Sequence, residues 1–173
     1  MELLESNTYS PEIMSITLKS SDGQQFQIDI KSAKRSTYIA DLIEEHKGET
    51  EFLIPEVEAK ILKKIVEYLI HYKDSEPKEI TQPLPKKDFK ECVDDWDYEY
   101  INLQNDTILE LMLAANFMDI KPLLELTCAK IASVIKGKSP EEIQNEFKME
   151  KDFDDDDDSI NSNQMDEFDD DEL

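Results

Sequence analysis

Residues 108–118 read Ile-Leu-Glu-Leu-Met-Leu-Ala-Ala-Asn-Phe-Met and form the most apolar stretch of a chain of 173 residues. Thr107 and Glu110 stand at the spacing of a capping box, so we expect a helix whose first turn follows Thr107. The apolar residues leave this helix almost no polar face. Such a helix is buried on nearly every side, or it lends one side to a partner.

Two more helices are predicted after this stretch. Pro122 suits the first turn of a helix, and Gly137 stands where a left-handed residue ends one. Ser139, Pro140 and Glu142 then supply an N-cap, a first-turn proline and a second capping box. Together the three helices carry more apolar surface than one small core buries, which indicates a partner-binding groove or ridge. An ordinary small helical core is the alternative interpretation.

Strands and helices are also predicted before residue 108. Apolar and polar residues alternate on both sides of a Ser-Asp-Gly turn, which is typical of a hairpin with one apolar face. The predicted elements are strands at 14–18 and 26–30, a helix at 32–46, a strand at 52–54, an amphipathic helix of about four turns from residue 57, and a brief helix at 94–101.

The chain divides into four predicted regions. These are a leader at 1–12, a body at 13–120, C-terminal helices at 121–149 and an acidic tail at 150–173. Within the body, residues 74–91 place three prolines among Lys, Glu and Thr, and we expect a mobile excursion there. The tail has 13 acidic residues and one basic residue, so we expect it to be disordered in isolation.

The net charge argues against several classes of partner. The chain has 19 basic and 42 acidic side chains, a net charge of −23, whereas binding to nucleic acid or to an anionic membrane requires clustered positive charge. No stretch approaches the ~20 apolar residues of a membrane span, and the first 30 residues show no secretory signal pattern. The two cysteines provide neither a disulfide framework nor a zinc site. We therefore expect a protein of the reducing cytoplasm and nucleus.

No catalytic, metal or cofactor site is predicted. The three glycines are not spaced to cradle a phosphate. Cys128 lies mid-helix and is expected to be a small buried hydrophobe, while His46 and His71 have no obvious positioned carboxylate. Residues 154–158 lack the glycine and the glutamate of an EF-hand loop. Trp96 has acidic neighbours, so it is expected to pack against the body rather than to stack on bases.

Several colinear segments resemble one known family. They are Ile-Leu-Lys-Lys-Ile-Val-Glu-Tyr at 61–68, Leu-Ala-Ala-Asn-Phe-Met-Asp-Ile-Lys at 113–121, Leu-Leu-Glu-Leu-Thr-Cys-Ala-Lys-Ile-Ala at 123–132 and Ile-Lys-Gly-Lys-Ser-Pro-Glu-Glu-Ile at 135–143. The pattern is similar to that of the S-phase-kinase-associated adaptors of SCF ubiquitin ligases. The resemblance implies an α+β class and a BTB/POZ fold, in which a three-stranded sheet with helices is followed by C-terminal helices that bind an F-box.

The resemblance also implies a role and two binding surfaces. The role is a non-catalytic bridge between a cullin scaffold and F-box substrate receptors, for ubiquitination and proteasomal degradation of the substrate. The implied cullin-binding residues are Asn116 and Phe117. Phe117 replaces a usual Tyr, which keeps the ring and removes a hydroxyl, so we expect cullin contact to be retained but weaker by ~1 kcal/mol, the value of a typical hydrogen bond. The implied F-box-binding residues are Ile108, Met112, Leu124, Cys128, Ile131, Ile135, Pro140, Ile143 and Phe147.

The acidic tail departs from the family pattern. Members commonly end in a helix with a Trp-Cys pair that closes over the F-box, whereas this tail has no Trp and carries Phe153, Ile160, Met165 and Phe168 as its large apolar groups. The alternative function is a self-assembling BTB/POZ module outside an SCF complex. As an adaptor, the chain is expected to form a weak homodimer when no F-box protein is bound.

Overall fold

The computed structural model describes residues 15–83 and 88–147. The predicted leader and the predicted acidic tail, with Phe153 and Phe168, lie outside the described residues. The strands are β1 (Ser15–Lys19), β2 (Gln25–Asp29) and β3 (Glu51–Leu53). The helices are α1 (Ile30–Ala33), α2 (Thr37–Glu45), α3 (Ala59–His71), α4 (Phe89–Cys92), α5 (Asp95–Tyr100), α6 (Asn105–Phe117), α7 (Lys121–Ile135) and α8 (Pro140–Glu146).

The three strands form one sheet in the order β2-β1-β3. β1 and β2 pair antiparallel as the predicted hairpin, with Ile16 opposite Ile28. Gly23 has a φ of +90° in the connecting turn, a conformation that favours glycine. β3 runs parallel to β1, with Phe52 opposite Leu18. The alternating apolar residues of the strands are buried on one face, as the hairpin pattern predicts.

The connection from β2 to β3 holds two short helices, whereas the sequence pattern predicted one helix over 32–46. Asp29 caps α1 by accepting a hydrogen bond from the amide of Ser32, and Ser36 caps α2 by accepting one from the amide of Ile39. Two capping side chains seven residues apart stabilise two helix starts, so the prediction of a single helix is wrong.

The apolar face of α3 lies at the centre of the core. Leu62, Ile65 and Leu69 are each no more than 1% exposed, while Lys60 and Lys63 point to solvent. α3 packs against α6, and α6 packs against α7. This arrangement confirms the predicted amphipathic helix and leaves the far sides of α6 and α7 available for other contacts.

α6 begins at Asn105, and Gln104 takes the N-cap position without a side-chain hydrogen bond. The predicted capping box of Thr107 and Glu110 is therefore wrong. Thr107 is already inside the helix, is 8% exposed, and donates its amide to Oδ1 of Asp106 at 2.9 Å. The helix starts earlier than its apolar stretch because its first turn is polar.

The predicted ends of the last two helices are confirmed. Pro122 lies in the first turn of α7, and Gly137 follows that helix with a φ of +75°. Ser139 and Glu142 form the expected capping box of α8. Phe147 takes the C-cap position immediately after the helix.

The predicted excursion at 74–91 begins as an irregular segment without helix or strand over 74–83. Its first residues are tied to α1 and to the turn that follows it, since Asp74 pairs with Lys31 of α1 and Glu76 accepts from Arg35 of the turn at 2.5 Å. A helix, α4, begins within the predicted excursion at Phe89. The prediction that this segment is mobile stays a prediction.

Trp96 packs against the body, as expected, within a group of aromatic rings. Its indole stacks on His71 at 3.5 Å between ring centroids and on Tyr100 at 4.9 Å. The hydroxyl of Tyr72 donates to Oδ1 of Asp97 at 2.7 Å. Asp97 is 3% exposed, and this burial raises the pKa of its carboxyl above the ordinary value. The predicted helix at 94–101 is confirmed as α5.

Candidate protein-binding surfaces

The His and Cys side chains of the described residues lie on different elements. Among residues 15–83 and 88–147, no three His, Cys, Asp or Glu side chains are grouped to hold a metal ion. None of the helices within these two ranges has both the length and the apolarity to cross a membrane. His46 Nδ1 lies 3.2 Å from the backbone oxygen of Leu42. Cys128 is half-buried, and the prediction of a buried thiol is wrong because this residue lies at the edge of the buried face of α7.

A groove of about 550 Å³ lies along one side of α6. Glu110, Leu113, Ala114 and Phe117 follow the i, i+3, i+4, i+7 spacing, which places them on one side of the helix. The loop between β3 and α3 and the first turns of α3 form the opposite wall. We call this site the α6 groove; it is lined by Glu56, Val57, Glu58, Ile61, Glu110, Leu113, Ala114, Asn116 and Phe117.

The α6 groove contains both predicted cullin-binding residues. Asn116 is exposed, and Phe117 is half-buried with its ring 4.8 Å from the ring of Tyr38. Ser36 sets the position of Tyr38, because its hydroxyl donates to the backbone oxygen of Met118 at 2.6 Å while also capping α2. The start of α2 is thereby held against the end of α6, next to the groove.

The apolar and charged parts of the α6 groove are separated. Val57, Ile61 and Ala114 form a floor in which each residue is at most 6% exposed. Leu113 stands above it at 65% exposed, the largest exposed fraction among the large apolar residues that the structure describes. The charged side chains among the lining residues are three glutamates, so an apolar floor has an acidic rim.

A second apolar surface runs along α7. Leu124, Cys128, Ile131 and Ile135 are all half-buried and follow the i, i+4, i+7, i+11 spacing, so they form one stripe. We call these four residues the α7 stripe. The buried residues of α7, such as Leu123 and Leu126, hold the helix against the core from another side. The stripe contains four of the nine predicted F-box-binding residues.

The predicted F-box-binding residues of α8 differ in exposure. Pro140 is exposed, Ile143 is half-buried and Phe147 is 8% exposed. Glu146 connects α8 to its neighbours, since it accepts from Nδ2 of Asn105 at 3.1 Å and pairs with Lys138 at 3.0 Å. These contacts tie the end of α8 to the start of α6.

Two predicted F-box-binding residues lie on α6. Met112 is half-buried, whereas Ile108 is 1% exposed and belongs to the core. In this conformation Ile108 therefore supports the surface from inside and presents no area to a partner. Phe117 lies five positions after Met112, which places the two residues about 140° apart around the helix axis. One side of α6 therefore lines the groove, and Met112 lies on another side of the same helix.

Reasoning from sequence missed most of the residues that line the α6 groove. The spacing of Glu110 and Leu113 relative to Phe117 could have identified those two, since all lie on one helix. Val57, Glu58 and their neighbours precede α6 by about 50 residues, and no local pattern connects them to it. Their contribution follows only from the packing of α3 on α6.

Two regions of the chain match known protein domains. Residues 14–74 match the tetramerisation domain of the Skp1 family, and residues 121–163 match its dimerisation domain. A curated protein of Tetrahymena thermophila, named S-phase kinase-associated protein 1 homolog, is 40% identical over 139 residues, which are 80% of this chain and 84% of that protein. The chain belongs to the Skp1 family.

Other Skp1-family relatives are similar over the same extent. An Arthroderma otae protein named E3 ubiquitin ligase complex SCF subunit sconC is 37% identical over 80% of this chain and 84% of its own length. SKP1-like protein 11 of Arabidopsis thaliana is 40% identical over 80% of this chain and 86% of its own length. With the three-stranded sheet and its helices, family membership confirms the predicted α+β class and BTB/POZ fold.

Proposed function

We propose that this chain is the adaptor subunit of an SCF-type E3 ubiquitin ligase, which links a cullin scaffold to F-box substrate receptors. Membership of the Skp1 family supports this function, as does a relative named as an SCF subunit. The observation that carries the proposal is that the α6 groove and the α7 stripe share no residue. A bridge requires two surfaces that can be occupied at the same time.

The α6 groove is the proposed cullin surface. It contains Asn116 and Phe117, the two positions that the family resemblance assigns to cullin binding. Leu113, with 65% of its surface exposed, provides an apolar contact beside them. A protein partner that covers Leu113 removes this surface from water, which favours association by ~25 cal/mol per Å².

The α7 stripe is the proposed F-box surface, together with Met112 and the exposed residues of α8. A continuous apolar stripe at helical spacing suits a partner helix laid against it. Ile131 lies in the middle of the stripe and is half-buried against the core. A charged side chain at this position places an unpaired charge in the contact.

The proposed mechanism is geometric and involves no catalytic residue of this chain. The adaptor holds a receptor-bound substrate at a fixed position relative to the ubiquitin-carrying enzyme on the cullin, and proximity raises the rate of transfer. Specificity comes from the receptor. We also propose a cytoplasmic and nuclear location, which imaging of the tagged chain in its native cell tests.

The experiment that tests the two-surface assignment uses one substitution in each surface. Asn116→Arg should weaken binding to the matching cullin by tenfold or more and leave F-box binding within twofold. Ile131→Asp should do the reverse. Circular dichroism and thermal unfolding establish that both variants are folded. Equal loss of both partners in both folded variants would contradict the assignment.

A weak homodimer in the absence of F-box protein is part of the proposal, and the α7 stripe is its proposed interface. Covering an apolar stripe by a second copy removes it from water when no receptor is present. Sedimentation of the full chain should then show a dimer that an F-box peptide dissociates. A homo-oligomer indifferent to F-box peptide would instead favour a self-assembling BTB/POZ module.

A further inference from the structure

We propose that the α6 groove accepts a partner segment in which a bulky apolar side chain is flanked by lysine or arginine, and that its acidic rim excludes a second copy of this chain. The inference rests on the proposed function, because it specifies the chemistry of the partner that the proposed cullin surface binds. It depends on the shape of the floor, the sign of the rim charges and the charge of the chain itself.

The floor of the groove fits an apolar anchor. Its volume of about 550 Å³ is large enough to hold water when no partner is bound. Val57, Ile61 and Ala114 provide few polar partners for such water, and Leu113 stands at the edge with most of its surface exposed. An apolar side chain that enters the groove displaces this water and covers Leu113.

The acidic rim of the groove favours a partner with positively charged side chains. Glu56 and Glu58 come from one loop and Glu110 comes from α6, and all three are exposed. Within the described residues, none of these three carboxylates forms an ion pair with a Lys, Arg or His side chain. Three carboxylates around one opening repel each other, and a Lys or Arg of a partner relieves that repulsion.

The same rim disfavours self-association through the groove. In a two-fold symmetric dimer the same patch meets itself, so Glu58 and Glu110 of one copy would face the acidic rim of the other. The whole chain has a net charge of −23, and residues 150–173 alone contribute −12. In this groove-to-groove arrangement a second copy supplies no cation, because no Lys, Arg or His lines the groove, and residues 150–173 contain one basic residue among 13 acidic ones. The groove is therefore selective for a different protein with basic residues around its apolar anchor.

The association rate with the matching cullin tests the rim. Glu58→Lys/Glu110→Lys reverses two rim charges, and Glu91→Lys/Glu99→Lys is the matched control, with the same change of net charge at exposed positions outside the groove. Stopped-flow measurements compare full-length chains, each with an F-box protein bound, at 50 and 300 mM NaCl. We expect the rim variant to associate about tenfold more slowly at 50 mM NaCl and to lose most of its salt dependence, while the control keeps its salt dependence.

Two further variants separate this inference from the proposed function. Leu113→Ala and Asn116→Arg should weaken cullin binding through a faster dissociation rate. If they weaken it while the rim variant associates at the wild-type rate or faster, the basic-partner inference is wrong and the cullin surface stands. If neither Leu113→Ala nor Asn116→Arg affects cullin binding, the proposed position of that surface is wrong.

Sedimentation tests the exclusion of a second copy. The exclusion is supported if no dimer forms at 50 or 300 mM NaCl. It is also supported if a dimer forms that Ile131→Asp abolishes and Leu113→Glu leaves intact. A dimer that Leu113→Glu abolishes while the monomer remains folded would overturn it, because the groove would then be a self-association surface.

Discussion

Replacement of Ser36 by alanine should destabilise the chain and weaken its binding to cullin in the same variant. The Ser36 hydroxyl is fully buried and makes two hydrogen bonds that connect different parts of the fold. It accepts from the amide of Ile39 at 3.2 Å at the start of α2, and it donates to the backbone oxygen of Met118 at 2.6 Å at the end of α6. Alanine removes both bonds without adding volume.

The magnitude follows from the two bonds. Loss of an N-cap serine costs ~1 kcal/mol of helix stability. The oxygen of Met118 keeps a longer bond from the amide of Tyr38, at 3.4 Å, so loss of its short bond costs a further ~1 kcal/mol, at the lower end of the range for a buried acceptor. A decrease of ~2 kcal/mol in the free energy of unfolding lowers Tm by about 4–8 °C in a chain of this size.

Ser139→Ala is the matched control, because Ser139 also caps a helix but is exposed. It should cost no more than ~1 kcal/mol, mainly as fraying of α8. Urea unfolding followed by circular dichroism gives both free energies, and titration with cullin and F-box protein gives both affinities. We expect Ser36→Ala to weaken cullin binding more than F-box binding, since Tyr38 would lose its fixed position against Phe117. A cost below ~0.5 kcal/mol, or equal effects of the two alanines, would refute this reasoning.

Two further predictions concern Asp97 and Gly137. Burial raises the pKa of the Asp97 carboxyl, so its contribution to stability is greatest below the ordinary value of 3.8 and is lost as the pH rises through the raised folded value. Asp97→Asn keeps an acceptor for Tyr72 and does not titrate. Urea titrations should therefore show that the free energy of unfolding of this variant rises relative to that of the wild type between pH 4 and pH 7. A difference between the two chains that stays constant with pH would refute the linkage. Gly137→Ala should lower the free energy of unfolding by ~1 kcal/mol, as measured with urea. The cost comes from the backbone φ of +75° and not from crowding, because an added Cβ meets no atom within 4 Å. Gly137→Asn should cost less, and equal costs of the two substitutions would contradict this explanation.

Local patterns predicted those parts of the fold that depend on neighbouring residues. The alternation around Gly23 indicated the hairpin, and the capping box at Ser139 indicated the start of α8; both are confirmed. The single helix predicted over 32–46 was wrong because Asp29 and Ser36 each cap a separate helix, and the hydroxyl of Ser36 is also bound to Met118, a residue far along the chain. Thr107 was misread as a cap because the apolar stretch, rather than the polar turn before it, marked the helix start.

The binding surfaces were predictable to a smaller extent. Family resemblance gave Asn116 and Phe117, and helical spacing connects Leu124 with Ile131, since in both cases the residues belong to one helix. Glu58 and Glu110 line the groove from two different elements, and sequence spacing contains no information about that arrangement. Burial of Ile108 was likewise not predictable, because a helix that is apolar on most sides does not indicate which side faces the core.

The packing of α6 on α3 also has a consequence for synthesis of the chain. The apolar face of α3 is complete when residue 71 has been made, but its cover on α6 begins only at residue 105. At ~5–20 residues per second, the ribosome needs ~2–7 s to supply the intervening segment, and Leu62 and Ile65 lack that cover during this interval. The nascent chain is then a substrate for chaperones, and a transcript truncated before α6 yields an aggregation-prone fragment rather than a half-functional adaptor.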